Sequence, residues 1–332
     1  MNLLKTALQL ASPANAKAKL SILIFHRVLP EIDPIFPDEP DARRFDLMMG
    51  WINSWFNVLA LDAAVDALKK GNLPARAAAI TFDDGYADNR TVALPILKKH
   101  GLPATFFIAT SYLDGGRMWN DTIIEAVRAS KTMHLDLSHL PVFVDENMDK
   151  LDIGTNLEKR AAIELILGKI KYLPKVERAA AVRSIGERCG SQLPDDLMMT
   201  SQQVIEMRRA GMLIGAHTLT HPILAKLDAT EVRNEIAGSK HRLESLLEEK
   251  ISLFAYPNGK PNQDYQSKDA QIIEELGFDA ALTTAWGVAD GKSDLMQLPR
   301  FTPWDNSKRN FGTRLFKNIL LNQGLKANQL AN

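Results

Sequence analysis

Four apolar runs of strand length, each ending in a polar cluster, constrain this chain more than any other feature. Leu20 to Phe25 (LSILIF) runs into His26-Arg27-Val28, and Ala77 to Phe82 (AAAITF) into Asp83-Asp84-Gly85. Met212 to Ala216 leads into His217, and Leu253 to Tyr256 into Pro257-Asn258-Gly259. Short, β-branched runs without polar alternation are expected of strands buried on both faces, as in a parallel sheet or barrel. Further strands are expected at Asn57 to Ala60, Ala104 to Ala109, Asp279 to Thr283 and, as a strand or extended segment, Gln297 to Phe301. Between them lie amphipathic stretches with helix signals. Phe45 to Phe56 reads as a helix whose Trp51 and Trp55 pack in the core, and Asp62 as the cap of a helix that Gly71 ends. Asn89 to His100 reads as a helix in which Pro95 either makes a kink or sits in a first turn. Thr200/Gln203 and Asp228/Glu231 have capping-box spacing. Alternating strands and helices imply an α/β fold with a parallel sheet.

The pattern changes from about residue 111 to 199, which reads as a mostly helical insertion with one hairpin near Leu135 to Val144. The expected organisation is an N-terminal extension (1–19), one domain (20–324) carrying that insertion, and a frayed tail (325–332). Lys plus Arg equal Asp plus Glu, 40 against 40, so no global charge favours nucleic acid. The single cysteine, Cys189, excludes an internal disulfide and a cysteine-rich metal site, and is read as a structural thiol. No stretch approaches the roughly 20 apolar residues of a membrane span. Ala14-Asn15-Ala16 imitates a signal cleavage site, but Lys5, Thr6 and Gln9 break the apolar run. The reading is an uncleaved segment and a cytoplasmic protein.

The chemistry concentrates at the strand ends. Adjacent carboxylates at Asp83 and Asp84 point in different directions, so one can bind a metal while the other accepts a proton. Taken alone, the pair reads more readily as a turn whose carboxylates cap the next helix. His217 and His221, four apart, can meet on one ion; Pro222 suggests a turn, and two surface histidines are the plainer alternative. Imidazole suits zinc, cobalt, nickel or iron. Two histidines and one carboxylate leave coordination positions open, as a catalytic site requires.

Taken together, TFDDG at 81–85, HTLTH at 217–221 and FAYPNG at 254–259 resemble the first three motifs of the polysaccharide deacetylase family, carbohydrate esterases that include chitin, peptidoglycan and poly-N-acetylglucosamine deacetylases. The resemblance runs from about Ser21 to Phe301, outside most of the insertion. It implies a distorted (β/α) barrel and removal of N-acetyl groups from a glycan or its lipid-linked precursor. It implies one divalent metal, zinc foremost, on Asp84, His217 and His221, with Asp83 as general base and the N–H of Asn258 as an oxyanion donor. Two departures stand out. Many members carry an arginine where this chain has Ala255, and a late histidine as general acid, whereas no histidine follows His241. Arg300 is the candidate to orient Asp83. Phe25-His26-Arg27-Val28 resembles the opening of the branch that includes exopolysaccharide deacetylases, which makes His26 the candidate acid. Trp119, Tyr86 and Trp286 are weaker candidates for stacking on a sugar. Two other readings remain: an amide or cyclic-imide hydrolase acting on a small molecule, and a non-catalytic glycan binder.

Overall fold

The computed structural model describes residues 3–144, 150–190, 192–303, 305–321 and 327. They form two units: residues up to 31, 40–114 and from 198 onward make the first, and 32–39 with 115–197 make the second.

Nine strands are present among the described residues: β1 (Leu20–Phe25), β2 (Asn57–Val58), β3 (Ala77–Phe82), β4 (Thr105–Ile108), β5 (His134–Asp136), β6 (Lys150–Asp152), β7 (Leu213–Ala216), β8 (Leu253–Ala255) and β9 (Ala280–Leu282). Seven of them form the parallel sheet of the first unit, in the order β1-β3-β4-β7-β8-β9 with β2 on β3. The apolar runs are continuous because both faces are buried. In β3, Ala78, Ile80 and Phe82 join one core cluster, while Ala77 and Ala79 join the other. The alternation assigns successive side chains to opposite faces.

Residues 298–301 close the sheet on itself. Leu298 exchanges backbone hydrogen bonds with Ala281 of β9 and with Thr283, the residue that follows β9. Phe301 does the same with β1 through Ile22 and Ile24. The α/β fold is thus a curled parallel sheet of distorted-barrel type. The extended segment expected at Gln297 to Phe301 is real, but a short 3-10 turn at Leu295–Gln297 precedes it.

Local signals explain most helix ends. Asp41 accepts from the N–H of Arg44 and starts the helix Ala42–Trp55, three residues earlier than the apolar pattern suggests. Both expected capping boxes form, at Thr200/Gln203 and Asp228/Glu231. Asp62 does not cap its helix. The helix Leu61–Lys70 starts behind Ala60, and Asp62 lies in the first turn, where a carboxylate faces the positive end of the helix dipole. Asn89–Ala93 is a π segment that precedes the helix Leu94–His100 and takes Pro95 into that helix's first turn. Trp55 is buried and Trp51 packs beside it, both against Phe311. The N-terminal helix Leu3–Ala11 buries Leu8 in the same core.

The second unit has its own apolar cluster, built by the helices Trp119–Ala129, Asn156–Ile170 and Lys175–Cys189. Its hairpin is wider than expected. β5 and β6 pair antiparallel, and Pro141–Val144 is a short helix between them, with 145–149 outside the described residues. Residues 32–39 belong here: Ile35 is buried in this cluster, and Asp33 accepts two hydrogen bonds from Arg128, at 2.9 and 2.6 Å. Cys189 is buried in it too, and burial pushes its thiol pKa up. The tail at 325–332 lies, except for Ala327, outside the described residues. No described helix is long and apolar enough to cross a membrane.

Candidate active site

β3 ends where the chain must turn sharply. Asp84 takes φ +76° and Gly85 φ +90°, so two consecutive residues adopt left-handed backbone. Such a conformation costs a non-glycine residue of the order of 1 kcal/mol and marks a position that the surroundings enforce. A Cβ on Gly85 would lie 3.2 Å from Ile108, so glycine meets a steric demand as well. The turn presents Asp83 and Asp84 separately. Both are buried.

Asp83 faces Arg300. The guanidinium donates through Nη1 to Oδ1 and through Nη2 to Oδ2, each at 2.7 Å. Its Nε donates to the carbonyl of Thr283 at 2.7 Å. Both side chains are excluded from solvent, and a two-pronged bond of this kind fixes the carboxylate plane. Burial pushes the Asp83 carboxyl up, but Arg300 and His217 outweigh it and hold it below the usual range. Arg300 reaches this point because it sits in the 298–301 segment, between the residues that bind β9 and β1.

Asp84 faces the two histidines. Its Oδ1 lies 3.4 Å from Nε2 of His217 and 3.3 Å from Nε2 of His221, and it has no hydrogen-bond partner despite being buried. One ligand atom from each residue falls within 4.8 Å of the others. His217 Nδ1 bonds the carbonyl of Ala255 at 2.7 Å, which makes Nδ1 the protonated nitrogen of the neutral ring and directs the Nε2 lone pair towards Asp84. Burial lowers the His221 pKa to about 4, so this ring is neutral near neutrality. His217 is also penalised by burial, but Asp83 and Asp84 raise its pKa. An orphaned carboxylate oxygen facing two imidazole nitrogens fits a divalent cation: the donors are of the right kind, and unpaired they are costly to bury.

The loop between the histidines is bent, not helical, with Thr218 at φ +64° and His221 at φ +53°. Glu235, from the helix Ala229–Leu247, holds it. Its carboxylate accepts the N–H groups of Leu219 and Thr220 at 3.0 and 2.8 Å and the Thr220 hydroxyl at 2.6 Å. Nothing in the sequence singles out Glu235, which reads as one of several charged positions on a helix.

Asn258 also has positive φ, +59°, and its carbonyl accepts from the Thr284 hydroxyl at 2.7 Å. Its N–H makes no hydrogen bond among the described residues. His26 follows the last β1 residue and is exposed; the backbone N–H of Asp83 donates to the carbonyl of Phe25, so His26 and Asp83 leave adjacent strand ends together. The seven candidate residues thus fall at the strand ends of one unit. Trp119 lies in the second unit under the Arg178 guanidinium, Tyr86 is buried beneath Arg27, and Trp286 packs on Phe301 while remaining partly exposed. Three of the four remaining histidines have local partners: His100 binds Asp46, His134 binds Asp152 and His139 binds Ser184.

The family model for polysaccharide deacetylases matches residues 70–134 and 170–281, more than half of the chain. The protein belongs to the polysaccharide deacetylase family. The gap in that match falls inside the second unit, where the family pattern is interrupted. YxkH of Bacillus subtilis (strain 168), a protein assigned to the polysaccharide deacetylases, is 22% identical over 285 residues, 85% of this chain and 71% of its own length. Among solved structures, the Streptococcus pyogenes deacetylase PplD, in complex with acetate, is similar with a TM-score of 0.59 at 20% identity. That match covers 91% of this chain and 98% of PplD. IcaB from Ammonifex degensii follows with 0.58 at 19% identity, covering 92% and 98%. At such identities the structural likeness carries the fold. Membership of the family makes the protein a hydrolase of the polysaccharide deacetylase type.

Proposed function

We propose that the protein is a metal-dependent N-deacetylase that releases acetate from an N-acetylated glycan or its lipid-linked precursor. One observation carries this reading: Asp83, held ionised by the buried Arg300, stands next to Asp84, whose unpartnered oxygen faces the Nε2 atoms of His217 and His221. Asp84, His217 and His221 would hold one divalent cation, zinc being the best fit to this donor set, which when bound lowers the pKa of water and polarises the acetamide carbonyl.

The other groups divide the proton and charge movements. Asp83 accepts a proton from the attacking water; Arg300 fixes the carboxylate in place and keeps it ionised at neutral pH. The N–H of Asn258 donates to the oxygen that becomes negative as the carbonyl carbon turns tetrahedral, a contribution of roughly 3 kcal/mol for a well-placed donor. His26 gives a proton to the amine nitrogen as the C–N bond breaks, because an amine leaves poorly without one. The products are acetate and a free amino sugar.

The test is acetate release from N-acetylglucosamine oligomers of several lengths, using protein as purified, stripped with chelator, and reloaded with zinc or cobalt, with Asp83→Asn alongside. The expected result is release that the chelator abolishes, metal restores, and the variant lacks by at least about a hundredfold. Release that is indifferent to chelator, or an unimpaired Asp83→Asn, overturns the reading. No release by metal-loaded protein redirects the search to another acyl substrate.

A further inference from the structure

The loop that leaves β1 is tied down by the residues that follow the Asp83-Asp84 pair. Nδ2 of Asn89 donates to the carbonyl of His26 at 2.8 Å. The Asp88 carboxylate accepts the N–H of Val28 at 3.1 Å and Nε of Arg27 at 2.7 Å. The Arg27 guanidinium in turn lies over the Tyr86 ring, 4.7 Å from its centroid. Three successive residues, His26 to Val28, are therefore gripped by side chains from the short stretch 86–89.

The grip is buried and costly. Asn89 is fully buried and opens the π segment Asn89–Ala93. Single π turns inside helices frequently occur at functional sites. Asp88 is buried as well, and its carboxyl pKa stays above the ordinary range because desolvation outweighs Arg27. The His26 imidazole itself makes no hydrogen bond among the described residues, and the ring is exposed. What is fixed is therefore the backbone from which the ring projects, and that backbone is held by Asn89 and Asp88. A proton donor must sit within a fraction of an ångström of its productive position to be effective.

We propose that Asn89 and Asp88 are positioning residues that place His26 for proton delivery to the leaving amine. This rests on the reading of His26 as the acid. One run of the chain, residues 83–89, would then supply the base, one metal ligand and the brace for the acid, so the acid's place is fixed relative to the base.

The experiment is a double-mutant cycle on acetate release from an N-acetylglucosamine oligomer by zinc-loaded protein, with His26→Ala, Asn89→Ala and the double variant. Zinc content and KM are followed beside kcat. The expected result is a fall in kcat of about ten- to a hundredfold for Asn89→Ala, with KM and zinc content unchanged. The double variant should be no slower than His26→Ala alone, because two residues acting through one step do not add. Additive losses identify a merely structural role and overturn the proposal, as does full turnover by Asn89→Ala when His26→Ala is slow. A fast His26→Ala removes the acid reading itself, and the positioning role with it. If Asn89→Ala does not fold, Arg27→Met tests the same brace from its partly exposed side. It should give a smaller loss of kcat, again non-additive with His26→Ala; additivity there also overturns the proposal.

Discussion

Arg300 binds both carboxylate oxygens of Asp83, at 2.7 Å each, across 217 residues of sequence. The pair is buried on both sides, so neither charge has water to fall back on. Arg300→Ala is expected to destabilise the fold by about 3–5 kcal/mol, the cost of leaving one partner of a buried pair uncompensated. It should also raise the Asp83 pKa, because burial pushes this carboxyl up and Arg300 is the strongest opposing influence. The acidic limb of the pH–kcat/KM profile should therefore move to higher pH. Thermal denaturation and the profile check both; a limb that stays in place refutes the orienting role. Arg300→Lys, which lacks the planar fork, should recover only part of the stability.

The two histidines are not electrostatically equivalent. Burial takes His221 down to about 4, whereas Asp83 and Asp84 raise His217. Near neutrality His221 offers a free lone pair, while a proton on His217 competes with a metal ion. Divalent-ion affinity of the metal-free protein should therefore rise with pH through the His217 titration, with proton release on binding. Calorimetric titration with zinc in buffers of different ionisation enthalpy reads both. Affinity that is flat between about pH 5 and 8 would contradict the assignment.

Gly215 in β7 lies two residues before His217. A Cβ there would come within 2.4 Å of the Phe107 ring and 3.0 Å of the carbonyl oxygen of Leu253. The carbonyl belongs to the neighbouring strand and cannot swing away. Gly215→Ala should cost about 1–3 kcal/mol of stability and weaken zinc binding by displacing His217. Urea unfolding and zinc affinity test this, and a variant equal to the parent in both would refute it.

In the second unit, Arg128 and the N–H groups of Ile35 and Phe36 hold the Asp33 carboxyl below its ordinary range against the opposing effect of burial. A folded pKa below the unfolded value of about 3.9 means that this stabilisation is complete above that value and is lost as pH falls towards the folded pKa. Asp33→Asn should therefore flatten the acid side of this unit's stability curve. Amide exchange in the helix Trp119–Ala129, followed from pH 6 to pH 3, measures it.

Much of the first unit was legible because its strands are buried on both faces and so read as unbroken apolar runs. Their polar ends could be located from the same runs, since His26, Asp83 and His217 each directly follow one. What escaped depends on contacts distant in sequence. Residues 30–45 are rich in Pro and Asp and read as a loop, and it is the burial of Ile35 and the Asp33–Arg128 bonds that assign 32–39 to the second unit. Glu235 acts through its reach from a helix to a loop fifteen or sixteen residues back, a relation with no periodicity. Asp62 has the right residue type for a cap and lies two positions too late, a shift decided by where Leu61 packs.

Closure of the sheet by 298–301 ties the proposed site to a contact between distant parts of the chain. The segment that joins β9 to β1 brings together residues almost 280 positions apart, a pairing of very high sequence separation. The same pairing delivers Arg300 to Asp83. Without that segment Asp83 would lack its counter-charge, and on the proposed mechanism a chain truncated before it would lack a working base. On the proposed mechanism, activity would therefore report that the segment 298–301 has docked.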